Sequence, residues 1–278
     1  MNEERDREHY GAANLLAGAR GTGAATRAGE VEWDLARFTR RPHATVTFPA
    51  SRSLGDLFLM SPSALRPGRW RQSPIGPAQG EVTVPPGKRL RLVMSERAAR
   101  SLRPLTGLGA GDLYSLDLSF RQVTDGQLKH LRGLTWLGEL DLKCNIDVAG
   151  YGLAHLCGMR LLERLDLWGC DVTDEGFSHL PPLPRLRELK LSLKIYMTDD
   201  ALSNLAKLPA LEDLDLENTR TSDRGIGYLA GLKSLRSLDL RNTWVSRAGY
   251  ERLRAALPRC RITWSMSVDC PYWMNSQP

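Results

Sequence analysis

The sequence predicts an α/β solenoid, with a curved parallel sheet inside, short helices outside and a small β-rich cap at the N-terminal end. Three observations carry this. The triplet Leu-x-x-Leu-x-Leu begins at Leu113, Leu137, Leu162, Leu186, Leu211 and Leu235, at offsets of 24, 25, 24, 25 and 24 residues. A second apolar register follows each of the first five triplets at three-residue spacing. It runs Leu128, Leu131, Leu134; Leu153, Leu156, Met159; Phe177, Leu180, Leu183; Leu202, Leu205, Leu208; and Ile226, Leu229, Leu232. Between the two registers stands a polar punctuation: Val123-Thr124-Asp125, Val172-Thr173-Asp174, Met197-Thr198-Asp199 and Thr221-Ser222-Asp223. One unit of this length cannot bury its own apolar stripe, but stacked units share a continuous core.

Taken in chain order, the segment 1–30 is rich in Ala and Gly and is expected to be disordered, with a frayed helix over Tyr10–Ala19 as the alternative. A β-rich cap is expected over 31–86, with short strands at 44–49, 53–60 and 80–85 bounded by Gly and Pro. The solenoid is expected to run over 87–264. Leu90 and Leu92 stand 26 residues before Leu116 and Leu118, and Leu102, Leu105 and Leu108 stand 26 before Leu128, Leu131 and Leu134, which predicts a degenerate first coil. In each regular unit, residues two apart such as Leu116 and Leu118 share one face of a strand. Leucines three apart share one side of a helix or 3₁₀ turn. Thr or Ser before that turn caps its first free N–H groups, and the following Asp suits the positive end of the helix. Gly152, Gly176, Gly225 and Gly249, just ahead of the first helical apolar residue, are read as room for close packing between coils. Leu253 and Leu257 continue the helical register, Ile262 and Trp264 fit a terminal strand, and 265–278 forms a C-terminal tail.

These residues resemble leucine-rich repeat proteins, nearest to the cysteine-containing and related bacterial subclass with Val-Thr-Asp-x-Gly-Leu repeats. The resemblance covers roughly residues 112–264 and implies a leucine-rich repeat solenoid that binds protein ligands. Where the subclass places Asn or Cys in a ladder, Asn145 and Cys170 match, while Arg121, Lys194, Thr219 and Thr243 depart from it. The ladder is therefore incomplete. The second and fourth repeats also carry one extra residue between strand and helix, near Asn145–Val148 and Lys194–Met197.

Composition bounds the function. The 278 residues are 42% hydrophobic and 25% charged, enough for a buried core. No run of 18 apolar residues occurs, so no membrane span is expected. The opening MNEERDREH lacks the apolar core of a secretory signal, and five irregularly spaced cysteines favour a reducing, cytoplasmic setting. Residues 1–111 hold 17 Lys+Arg against 10 Asp+Glu and residues 112–278 hold 21 against 22, so +7 and −1 give the net +6. No nucleic-acid-binding motif accompanies the basic segment, and a solvated arginine-rich surface is the preferred reading.

The middle position of each Leu-x-Leu faces the hollow: Asp117, Asp141, Asp166, Lys190, Asp215 and Asp239. A column of carboxylates raises metal or acid–base chemistry, but Arg164, Arg187, Lys190 and Arg236 nearby offset the repulsion and make a charged binding face, which also takes in Arg241, the better reading. Apolar residues there are more informative, since a solvent-facing strand position gains nothing from them. Phe120, Trp168 and Leu193 are expected along the hollow with Tyr114 at its N-terminal end, as anchors for a partner. His130, His155 and His179 recur at one helical position, too far apart for shared metal ligation. No nucleophile arrangement or phosphate-binding loop is found, so no catalytic residue, metal or cofactor is assigned. The expected function is a non-catalytic, monomeric protein-binding module. The alternative is an adaptor or effector coupled to an enzyme such as a ubiquitin ligase, and that alternative rests on fold analogy alone.

Overall fold

The computed structural model describes residues 44–61, 74–193 and 196–265, all within one unit, Arg37–Pro278. The expected disordered segment 1–30, the start of the cap and the tail from 266 onward lie outside the described residues. Twelve strands are described: β1 (Ala44–Thr47), β2 (Gly55–Met60), β3 (Gly76–Pro77), β4 (Glu81–Val84), β5 (Arg89–Met94), β6 (Ser115–Asp117), β7 (Glu139–Asp141), β8 (Arg164–Asp166), β9 (Glu188–Lys190), β10 (Asp213–Asp215), β11 (Ser237–Asp239) and β12 (Arg261–Thr263). Strands β5 to β12 form one parallel ladder in chain order, with Leu116, Leu140, Leu165, Leu189, Leu214 and Leu238 in register across it. The leucine triplets therefore stack as coils, each burying its own layer of a single core.

At the N-terminal end, β1 pairs with β4 as a separate two-stranded antiparallel ribbon. β2 instead runs antiparallel beside β5 and belongs to the solenoid's own sheet, with β3 at its edge. Val46, Phe48, Leu54 and Leu57 from this region are buried in the same core as the coils. The first coil corrects the expected register. Leu92 lies opposite Leu116, an offset of 24, and the carbonyl of Leu90 accepts the N–H of Tyr114. The offset of 26 holds only for the helical leucines, because this coil has two residues fewer between strand and helix and two more after the helix. Leu92 to Leu102 is 10 residues where Leu116 to Leu128 is 12, and Leu108 to Leu113 is 5 where Leu134 to Leu137 is 3.

The outer side is built of short turns. Asp125–Leu131 and Tyr151–Leu156 are 3₁₀ helices, and Asp174–Ser178, Asp199–Leu202 and Ile226–Leu229 are single α turns. A three-residue apolar spacing matches three residues per turn, which explains why 3₁₀ geometry recurs. The last helix, Arg247–Ala256, is a longer α-helix. There the buried leucines, Leu253 and Leu257, stand four apart. Trp264 closes this end: its ring stacks on Tyr250 at 4.9 Å and its Nε1 donates to the carbonyl of Val245.

The helix caps are as the sequence indicates. The hydroxyl oxygens of Thr173, Thr198 and Ser246 accept from the N–H groups of Gly176, Asp200 and Gly249. The Asp that follows has a role beyond the helix dipole, because its carboxylate reaches the next coil. Asp174 accepts from the N–H and hydroxyl of Thr198 at 2.7 and 2.6 Å. Asp199 does the same for Ser222, and Asp223 for Ser246. Asp125 accepts from the N–H groups of Ala149, Gly150 and Gly152. The recurrent glycines make room for this bridge: a Cβ on Gly225 or Gly249 would stand 2.4 or 2.1 Å from a carboxylate oxygen of Asp199 or Asp223. The second coil has Ala149-Gly150 in place of Thr-Asp. Thr173 N–H there donates to the carbonyl of Ala149, and a Cβ on Gly176 would meet that oxygen at 1.9 Å.

Candidate functional site

Two surfaces meet where the strands end: the open face of the sheet and the turns that follow the strands. On the open face, most charges are paired with each other. Arg91 holds Asp117 at 2.6 Å, Arg164 bridges Glu139 and Glu188, and Lys190 bridges Asp166 and Glu188. Arg187 and Arg236 share Glu212, while Arg241 joins Asp239 to Glu217. Some of these pairs join opposite charges on neighbouring strands, about 4.8 Å apart, and others, Lys190–Glu188 and Arg241–Asp239, join residues two apart in one coil. Around Asp141 they line a shallow cleft of about 110 Å³ that includes Arg91, Glu139, Asp166 and Glu188.

Burial in this cleft dominates the electrostatics. The Asp141 carboxyl is pushed up to about 6, first by loss of water and then by Asp117 and Asp166 on either side. Glu139 is raised by the same burial, against the pull of Arg164. For Lys190, burial opposes the charge, but Asp166 and Glu188 outweigh it and hold the ammonium above its ordinary range. Asp215, Glu217 and Asp239 bring carboxylate oxygens within 4.8 Å of one another, the one such acidic or thiol/imidazole group of three among the described residues. The guanidinium of Arg241 donates to both Asp239 and Glu217, so a cation already occupies that corner.

The predicted apolar anchors divide three ways. Tyr114, expected to be open to the hollow, is only 6% exposed. Its ring fills the space left by Gly138, where a Cβ would come within 2.1 Å of it, and the guanidinium of Arg89 lies over it at 4.3 Å. Its hydroxyl reaches Glu163 and its pKa is raised by burial. Trp168 is on the open face as expected, half-buried, one turn of the pleat beyond Asp166, whose carboxylate accepts its N–H. Phe120 and Leu193 are not on the strand face but in the turn behind it, 58% and 39% exposed.

That turn has a left-handed residue at the same place in every regular coil: Phe120, Cys144, Gly169, Leu193, Asn218 and Asn242, with φ between 54° and 66°. Gly and Asn suit this conformation; Phe and Leu do not, because their Cβ crowds the following carbonyl. The next position is the ladder. Asn145 is fully buried, accepting from the N–H groups of Arg121 and Val123 and donating to the carbonyls of Leu118 and Leu142. The substitutes reach carbonyls in other ways: Arg121 donates to Met94 and Phe120, Cys170 Sγ to Leu142, Thr219 to Leu216 and Thr243 to Leu240.

Residues that spacing did not single out complete the rim. Ile146 and Tyr196, 64% and 54% exposed, belong to the two coils with an extra residue between strand and helix. The insertion itself was the available signal. Trp244, 54% exposed, stands in the equivalent turn of the last regular coil, with the Arg220 guanidinium 5.8 Å from its ring. Lys143 sits between two rings, 4.6 Å from Trp168 and 5.6 Å from Phe120. On the outer side, His155 receives the Arg132 guanidinium at its Nδ1 and His179 packs on the Tyr151 ring. Each therefore has its own local partner.

No protein-family model matches the chain, and no curated protein matches it. Among solved structures it is similar to internalin C2 of Listeria monocytogenes, at 24% identity over 63% of this chain and 80% of that one, with a TM-score of 0.49. It is also similar to a leucine-rich repeat protein of Leptospira interrogans, at 23% identity over 55% of this chain and 43% of that one, with a TM-score of 0.40. The coils themselves, each a strand, a left-handed turn and a short helix in 24 or 25 residues around a shared leucine core, make this an α/β solenoid of the leucine-rich repeat fold.

Proposed function

We propose that this chain is a non-catalytic module that binds a protein partner across the open sheet face and the adjoining rim. One observation carries the reading. Of the eight large apolar side chains that stand exposed among the described residues, five, Phe120, Ile146, Leu193, Tyr196 and Trp244, lie in the turns after the strands. Exposed apolar side chains recurring along one rim and bordered by charge have the composition of a protein interface. Trp168, Asp141, Arg164, Asp166, Arg187, Lys190, Asp215, Asp239 and Arg241 provide the charged and aromatic floor beside it. Because those residues ride on strands locked in one sheet, little ordering entropy is lost on binding. No helix among the described residues is long and apolar enough to cross a membrane.

The test is a partner screen by proximity labelling, followed by reconstitution with the purified partner. Replacing Phe120 and Trp168 by Ala is expected to abolish the reconstituted complex while leaving the unfolding transition cooperative. A complex that survives with unchanged affinity would overturn this location.

A further inference from the structure

Resting on the protein-binding reading, the geometry points to a specific partner chemistry: Lys143, held between Phe120 and Trp168, receives a carboxylate side chain of a partner segment that carries a large apolar residue about three positions away. Lys143 differs in kind from five cations that share the open face with it. Arg164, Arg187, Lys190, Arg236 and Arg241 each hold a carboxylate of their own sheet. Lys143 holds none among the described residues, and its ammonium faces two aromatic rings instead. Ring faces position a cation without neutralising its charge, so the ammonium remains available to an incoming anion.

The second observation is Phe120 itself. It occupies a left-handed position that its side chain disfavours, and it is more than half exposed there. Leu193 repeats the combination two coils beyond Lys143. Two strand spacings are about 10 Å, and an extended segment advances about 3.3 Å per residue, which sets the three-residue interval. A basic partner is the competing reading, since Asp141 and Asp215 hold no cation at ion-pair distance among the described residues. Both, however, accept N–H groups of their own strands, from Lys143 and Glu217, and Asp141 lies down in the cleft rather than beside the exposed apolar groups.

The experiment is a selection of short random peptides displayed on phage against the purified full chain, followed by affinity measurements on the synthesised winners. Enrichment of Asp or Glu with Leu, Phe or Trp about three positions away is expected. Lys143→Met should weaken the winning peptide roughly tenfold, the scale of one charge-assisted hydrogen bond. Replacing the peptide's acid by its amide should give a similar loss, and little further loss when combined with K143M. Lys143→Glu should reject the peptide and regain binding to a version with Lys in place of the acid. Enrichment of Lys- and Arg-rich peptides, or winners indifferent to K143M, would overturn the carboxylate assignment while leaving the protein-binding reading in place. Winners that ignore F120A and W168A as well would overturn both.

Discussion

On the helix side of the coils, Asp174, Asp199 and Asp223 each make the same two hydrogen bonds to the Ser or Thr that opens the next turn. On the strand side, the equivalent junctions are filled by Arg121, Asn145, Cys170, Thr219 and Thr243, and these satisfy between one and four backbone groups apiece. The helix side repeats because its only task is to hold one coil to the next. The strand side varies because it also carries the exposed residues, and its bonds are improvised around them. On the proposed reading, the uniform side is scaffold and the irregular side is the one open to a partner.

The largest expected effect lies in the ladder. Asn145→Ala removes bonds to two N–H groups and two carbonyls and is expected to cost about 3–4 kcal/mol, whereas Thr219→Ala, which removes one bond to the backbone, should cost about 1 kcal/mol. Urea titrations of the two variants measure the ratio. Equal costs would mean that the junctions are interchangeable and that the contrast between the two sides fails.

Next comes the helix side. Asp199→Ala removes two charge-assisted bonds from a nearly buried carboxylate and is expected to cost about 2 kcal/mol. Ser222→Ala, which removes only one of them, should cost about half as much. Asp174→Ala should match Asp199→Ala closely if the helix side is as uniform as its geometry. A spread wider than that between Asn145 and Thr219 would reverse the comparison.

These two sides were unequally legible in the sequence. The leucine periodicity specified the stack, since each triplet reports one strand and one buried layer. Trp168 could be placed because strand alternation fixes its side. Strand alternation stops at the turn, so it places Phe120 and Leu193 on the sheet face, whereas they stand in the turn that follows the strand. The Thr-Asp pair was read as a cap because a single unit shows only the cap; the bridge from Asp199 to Ser222 exists only between units. Tyr114 looked like an exposed anchor because nothing in its own coil covers it, and the space it fills is made by Gly138 one coil away. For the Thr-Asp pair and for Tyr114, what the sequence hid was a contact across coils.

A pH-dependent effect comes from the cleft. The Asp141 carboxyl titrates at about 6 when folded, against an ordinary value of 3.8. Between those values the folded chain keeps a proton that the unfolded chain has lost, so this group's contribution to stability falls as pH rises from about 4 to 6. Asp141→Asn keeps an acceptor for the Lys143 N–H and removes the charge. Its Tm is expected to equal that of the parent below pH 3.8, to exceed it increasingly through this window, and to hold a constant advantage above it. Differential scanning calorimetry across pH checks this, and an advantage that persists in acid would assign the effect to packing instead.

The smallest expected effect is the one that ties the two sides to function. Phe120→Gly relieves a left-handed phenylalanine and removes a side chain that is mostly in solvent, so it is expected to stabilise the fold by about 0.5–1 kcal/mol. Asn242→Gly, at the same turn where the residue already suits the conformation, should change stability by a few tenths at most. A residue whose removal strengthens the fold is retained for something other than folding, and here the candidate is contact with a partner. If Phe120→Gly instead destabilises the chain, the ring's packing over Lys143 outweighs the backbone cost, and the rim is scaffold after all.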